Sequence, residues 1–266
     1  MNLLFWNLAK NENSRVLRDI IIEKDIDIII LSEFQSTNLT SVVSGMNGEY
    51  CLYQGFGACE KVILLARRTA GITVRREQNR YALYACDFDG RSYIIAGIHL
   101  PANPHADAEH RKNVIRDLVK DICTLETELK NSNTIVIGDF NASPFDDELI
   151  QKDSFNAVLY KGLINQSEHV KINGKQYRRF YNPMVNYVSE DFMNYGSFYY
   201  SNGIKTLYWF CYDQIIVRKP LINEISSIQY CQKVNNRSLL NRFLPNSDIS
   251  DHLPLMVKFE RKAPHE

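Results

Sequence analysis

The chain has no net charge, because 31 Lys and Arg offset 31 Asp and Glu over 266 residues. Nucleic-acid binding through bulk positive charge is thereby excluded, although a local basic surface is not. No apolar run approaches the roughly 18 residues that a membrane span needs. The apolar stretch 3–6 behind Met1-Asn2 is too short for a signal-peptide core and lacks its basic flank. The six cysteines make no CxxC pair, and Cys86, Cys123 and Cys211 sit in apolar segments where a reduced thiol is a small core residue. These absences point to a soluble protein of a reducing, cytoplasmic compartment. No Pro, Gly or Ser linker, low-complexity tract or internal repeat interrupts the chain, so one domain over 1–266 is the simpler expectation. GxxxxGK[ST] is missing too, which excludes NTP hydrolysis through a P-loop.

What is present is an ordinary globular composition, 45% apolar and 23% charged, that alternates β-like runs with amphipathic stretches. Residues 3–7 predict a strand, and Asn13 or Ser14 then caps a helix with Val16, Leu17, Ile20 and Ile21 at helical spacing. The consecutive apolar residues within 27–33 suit a strand covered on both faces. Strands are expected at 62–67, 81–88 and 92–99, the last two joined by Asp89-Gly90. A long helix is expected over 106–129 and a buried strand over 134–139. Segments 207–217, 225–231 and 253–259 restore strand patterning after a Tyr- and Asn-rich stretch of long loops around short strands, 153–201. Several strands end in a polar group: Asn7 closes LLFWN, Glu33 closes IIILSE, His99 closes IIAGIH and Asp139 closes TIVIGD. Polar groups gathered at one rim of a packed sheet can build a site.

In order, WN (6–7), LSEFQ (31–35), GIHLPA (97–102), GDFNASP (138–144), YDQIIV (212–217) and SDHLPL (250–255) resemble the motifs of the endonuclease/exonuclease/phosphatase superfamily, most closely its deoxyribonuclease I-like members. The resemblance spans 3–259. It implies an α/β fold, a four-layer α/β/β/α sandwich of two packed mixed sheets, and a metal-dependent phosphoester hydrolase. Such cleavage needs a cation against the phosphate charge and an activated water, and a hard cation such as Mg²⁺ needs only one or two carboxylates. By resemblance Glu33 is the main ligand of Mg²⁺, or of Mn²⁺ as substitute, helped by Asn7 and Asp251. His252 is the expected general base, oriented by Asp213. His99 is expected to pair with Glu60, Asp139 and Asn141 fall to the phosphate and nucleophile or leaving-group side, and Arg80 matches a phosphate-contacting arginine. His105 and His110, at the entry to the long helix, form no zinc spacing with His99, and His169 and His265 read as loop and tail residues.

Two charge concentrations bear on the substrate: five arginines against one glutamate in 67–80, and five basic residues against one acid in 161–179. Both are expected near the site rim, which favours a nucleic acid. The leading expectation is a DNA endonuclease or phosphodiesterase. The alternatives are a phosphatase or phosphodiesterase of a small phosphorylated molecule or phospholipid headgroup, and an inactive binding scaffold. The disulfide-forming cysteines of the secreted nuclease are not recognisable.

Overall fold

The computed structural model describes residues 1–55, 57–102, 108–187, 195–202 and 208–261. His105, His265, the first two residues expected for the long helix, Leu207 and the middle of the Tyr-rich insert lie outside them.

Two sheets carry the architecture. In the six-stranded sheet the order is Ile225–Tyr230, Leu255–Phe259, β1 (Asn2–Asn7), β2 (Ile28–Ser32), β4 (Val62–Arg67) and β3 (Tyr50–Tyr53), with β1 and β2 parallel and the other neighbours antiparallel. The seven-stranded sheet runs β5 (Gly71–Gln78), β6 (Tyr81–Phe88), β7 (Arg91–His99), β8 (Thr134–Asp139), Asp213–Val217, Phe180–Tyr181 and Ala157–Val158, with β7 and β8 parallel. Two of the parallel pairs are bridged by long helices, α1 (Ser14–Glu23) between β1 and β2 and α3 (Ala108–Leu129) between β7 and β8, because a parallel connection requires a crossover; Ala157–Val158 and Phe180–Tyr181 form a third, short parallel pair. A further helix, α2 (Ser36–Ser44), contacts α1.

The layering follows from which side chains meet. Val16, Leu17, Ile20 and Ile21 of α1 join the cluster built on β1, β2 and β4, which also takes in Ile95, Ile135, Ile137 and Ile215. Their neighbours Ile94, Ile98, Val136 and Ile216 point the other way and pack with Ile115, Leu118, Ile122 and Leu125 of α3. Successive strand residues therefore feed opposite faces, and both faces of the seven-stranded sheet are covered. The result is the expected four-layer α/β/β/α sandwich, with few helices in its outer layers. Gly97 lets the sheets close, since a Cβ there would meet Val62 Cγ1 at 2.7 Å and Ile30 Cγ2 at 2.9 Å.

Three expectations change. Asn13 precedes α1, but its amide donates to the Ile249 carbonyl instead of capping the helix. Segment 207–217 is not one strand: Trp209–Phe210 pairs with Phe198–Tyr199, while Asp213–Val217 joins the large sheet. Cys86 and Cys211 are buried, whereas Cys123 is exposed; all six thiols are free. Among the described residues no helix is long and apolar enough to cross a membrane.

Candidate active site

The sheet register brings the polar strand ends together. Asn7 lies opposite Ser32, one residue before Glu33, while His99 and Asp213 both lie opposite Asp139. The loop before Leu255–Phe259 brings in His252. It is tied to β1 by Trp6 Nε1 donating to the His252 carbonyl at 2.9 Å and Ser250 Oγ donating to the Asn7 carbonyl at 2.7 Å, while the His252 amide donates to Ser250 Oγ at 3.0 Å.

Asn7 organises one half of the site. Its Nδ2 donates to Asp139 Oδ2 at 3.1 Å and to Glu33 Oε1 at 3.4 Å, while its Oδ1 accepts the Ala9 amide at 3.0 Å. Asn7, expected as a metal ligand, thus presents its amide nitrogen to two carboxylates. Glu33 leaves β2 in the left-handed region at φ 48°, a strained choice for this residue type, and its side chain remains 32% exposed. Asn141 takes the same region at φ 46°; its amide donates to Asp139 Oδ1 at 2.9 Å and its Nδ2 to the Leu100 carbonyl at 2.9 Å. The loop behind it is pinned by Gln214, which donates to the Ala142 carbonyl at 2.5 Å and accepts from Asn182 at 2.9 Å. Gly138 sits where β8 approaches β7 so closely that a Cβ would fall 2.0 Å from the Ile98 carbonyl oxygen.

Across the rim, His252 Nδ1 lies 2.7 Å from Asp213 Oδ2, both side chains buried. Burial alone would favour the neutral imidazole, but the Asp213 carboxylate outweighs it, with Asp139 and Asp251 adding, and the ring is pushed up to about 10. Burial pushes Asp213 up to about 6 against the pull of His252. The pair is therefore an imidazolium and a carboxylate through the neutral range. The Ser197 hydroxyl accepts the Asp213 amide at 3.0 Å, and Tyr230 donates to the Asp213 carbonyl at 2.7 Å. One ligand atom from each of Asp139, Asp213 and His252 lies within 4.8 Å of the others.

His99 differs from expectation. Its Nε2 lies 3.6 Å from Glu33 Oε1 and 3.8 Å from Asp139 Oδ2, and among the described residues its buried Nδ1 has no hydrogen-bond partner. Burial lowers its pKa, against the pull of Asp139 and Glu33, so this ring is neutral. The expected His99–Glu60 pair is not formed. Glu60 is exposed in the bend ahead of β4, while His99 is buried and its ring lies nearest Glu33 and Asp139. Both still line one cleft of about 410 Å³, with Glu33, Arg80, Lys10, Lys61, Phe34 and Gln35. Arg80 supplies the carbonyl that accepts the His99 amide at 2.9 Å. Asp251 is exposed beside His252.

The expected basic rim shrinks to this cleft. Ser32, at the site end of β2, lies opposite Val62, so Arg67 closes the far end of β4, where it pairs with Asp25 and Asp27. Arg178 bonds Glu126, and its carbonyl accepts from Arg218, whose own amide donates to the Thr134 carbonyl at the opposite end of β8. Of the two predicted patches, Arg80 is the member on the cleft wall, joined by Lys10 and Lys61, which sequence reading did not single out. Trp6, Ser250, Ser197 and Gln214 were also missed as positioning groups, although three of them stand inside the recognised motifs.

No curated protein matches the chain. Among solved structures, truncated Caenorhabditis elegans TDP2 is similar with a TM-score of 0.63 and 13% identity over 97% of this chain and 96% of that one. D. rerio TDP2 complexed with a single-strand DNA product gives 0.58 and 14% over 98% and 99%. The human Nocturnin catalytic domain with bound sulfate gives 0.59 and 16% over 98% and 94%. The family model of the Endonuclease/Exonuclease/phosphatase family matches residues 4–252, through every strand end that builds the site, and the chain belongs to this family as a phosphoesterase- or nuclease-type hydrolase.

Proposed function

We propose that the protein is a Mg²⁺-dependent phosphodiester hydrolase acting on nucleic acid, DNA favoured, as a single domain over 1–266. The observation that carries this reading is the convergence of the Asp213–His252 pair with Asn7, Glu33, Asp139 and His99 at one rim. A divalent cation fits it: two carboxylates converge on a single Asn7 amide group, and the half-open Glu33 side chain faces the cleft. Oxygen donors of this kind suit Mg²⁺ or Mn²⁺. Glu33 would be the principal ligand, with Asn7, after an amide rotation, and Asp251 as its helpers. The Asp139, Asp213 and His252 group is less suited to a cation because His252 Nδ1 is already committed to Asp213. Held by Glu33, such a cation would supply positive charge against the phosphate and against the carboxylates that hold a proton on His252.

His252, once neutral, takes a proton from water at Nε2 while Asp213 fixes the tautomer. Neutral His99, with Asn7 and the Asn141 amide edge, offers polar contacts to the phosphate oxygens, and Asp139 orients this set. Arg80, with Lys10 and Lys61, binds the flanking phosphate charge; Glu60 sits among these cations as a second-row carboxylate. The free thiols support a cytoplasmic setting.

The test is one substrate panel with purified protein: supercoiled plasmid, single-stranded DNA, RNA, a sphingomyelin analogue and inositol phosphates, each with Mg²⁺, Mn²⁺ or EDTA. The proposal expects cleavage of nucleic acid that EDTA abolishes. Cleavage of a small phosphoester alone would reject the nuclease reading, and chelator-resistant turnover would reject the metal assignment.

A further inference from the structure

The Tyr-rich insert ends beside His252 in an aromatic array that the proposed chemistry does not use. Phe198–Tyr199 and Trp209–Phe210 pair antiparallel, Phe198 opposite Phe210 and Tyr199 opposite Trp209. Strand alternation puts Phe198 and Tyr200 on one side and Tyr199 on the other. On the first side the Phe198 ring lies 4.9 Å from the His252 ring, 5.6 Å from Tyr212 at 23° and 6.5 Å from Tyr200 at 14°. The backbone of Phe198 bridges to His252 as well. The array opens outward, from a buried His252 through half-buried Phe198 and Tyr212 to Tyr200, which is 47% exposed. Phe145, 62% exposed, stands on the loop that follows Asn141.

We propose that Phe198, Tyr200 and Tyr212 form a shelf on which unpaired bases of the substrate strand stack, so that single-stranded or frayed nucleic acid is the preferred substrate. This rests on the nucleic-acid reading of the site and narrows it. Rings that only fill a sheet edge are buried, whereas Tyr200, at the end of a row that starts on His252 and within 14° of parallel to Phe198, is 47% exposed. A strand whose phosphate sits at His252 has its next base within reach of that row. In the cleft beside Glu33 and His99, Lys10, Lys61 and Arg80 meet the backbone charge. Every base has a flat face, so such a shelf is tolerant of sequence. In an intact duplex those faces are covered by neighbouring pairs, and only an unpaired base offers one. The tyrosine hydroxyls along the row suit a wet, polar-edged base better than a lipid chain.

The experiment compares one oligonucleotide as a single strand and as a duplex, with bis(p-nitrophenyl) phosphate as a probe of the chemistry alone. The expected result is a higher kcat/KM for the single strand, and a KM for it raised about tenfold by Tyr200→Ala, the scale of one lost base stack. Tyr200→Phe should recover most of that loss. A 2-aminopurine base in the single strand should be quenched on binding in EDTA by wild type, and less by Tyr200→Ala. Equal cleavage of both forms, or an unchanged KM in Tyr200→Ala, overturns the shelf while leaving a nuclease. Hydrolysis of bis(p-nitrophenyl) phosphate with neither oligonucleotide cut overturns the nucleic-acid reading and the shelf together.

Discussion

Replacing Asp213 by Asn isolates what the carboxylate does for His252 while preserving volume and a hydrogen-bonding group. In the folded protein two opposed influences act on the ring. Burial disfavours the imidazolium, and Asp213, 2.7 Å away, is the strongest group holding the proton, lifting the ring to about 10. Without that charge burial is opposed only by the more weakly acting Asp139 and Asp251, and the pKa falls from about 10. Each unit of that fall removes about 1.4 kcal/mol of preference for the protonated ring. The amide can also present its NH₂ to Nδ1, which would move the ring proton to Nε2 and block proton uptake there. Turnover should fall by about 10²- to 10⁴-fold, the range of a lost general base or its orienter. The assay is steady-state cleavage of a labelled oligonucleotide with Mg²⁺, alongside an NMR titration of the His252 imidazole in EDTA. An Asp213→Asn protein that keeps turnover within about fivefold, or a ring still titrating near 10, would refute the reasoning.

Glu33→Gln should weaken Mg²⁺ binding by more than about tenfold, the scale found even for groups around a ligand, measured by calorimetry and by the Mg²⁺ concentration at half-maximal rate; unchanged affinity removes Glu33 as the main ligand. Gly138→Ala should lower stability by about 1–3 kcal/mol or more and reduce turnover, because the new methyl meets the Ile98 carbonyl beside His99 and backbone must move. Denaturant unfolding reads it, and wild-type stability would contradict the close approach. The raised His252 pKa has a signed consequence: its stabilisation is complete below pH 6.5 and is lost as pH rises toward 10, since the unfolded chain gives up the proton first. In EDTA the melting temperature of wild type should fall between pH 6.5 and 8.5 more steeply than that of His252→Gln; parallel curves would deny the shift. Asp213, held up to about 6 by burial, adds a smaller slope of the same sign at the lower edge of that window, where its ionisation in the folded protein is being completed.

The strands that build the site were legible in the sequence because each is buried on both faces or packed against α3. The expected 62–67, 81–88 and 134–139 coincide with β4, β6 and β8, and 27–33 with β2 to within a residue at each end. What escaped was peripheral. In β5 the alternate residues are exposed and three are charged, so it reads as a basic surface, yet it pairs along β6 as an edge strand with a bulge near Arg75. The α2 segment STNLTSVVS is rich in residues that prefer caps and turns, and it is helical because it packs against α1 and β3. Trp209–Phe210 and Asp213–Val217 read as one run because the apolar pattern continues through Cys211 and Tyr212, while the chain turns from one sheet to another.

Within the site, motif residues were legible and their partnerships were not, and the reason is geometric. A strand end fixes where a Cα sits, so Asn7, Glu33, His99 and Asp139 had to share a rim once the sheets packed. Which way a side chain turns depends on backbone beyond the strand. Glu33 and Asn141 both leave in the left-handed region, which swings Glu33 back toward Asn7 and His99 and commits the Asn141 amides to Asp139 and Leu100. Glu60 lies on a bend with no such constraint and ends exposed, so the carboxylates nearest His99 come from β2 and β8. The consequence is chemical. A histidine in direct contact with a buried carboxylate keeps its proton, as His252 does with Asp213. His99 lies 3.6 and 3.8 Å from Glu33 and Asp139 and burial outweighs their pull, so its pKa is lowered and the imidazolium is left to His252. Two histidines on one rim thereby hold different protonation states, a division set by side-chain direction that spacing along the chain does not carry.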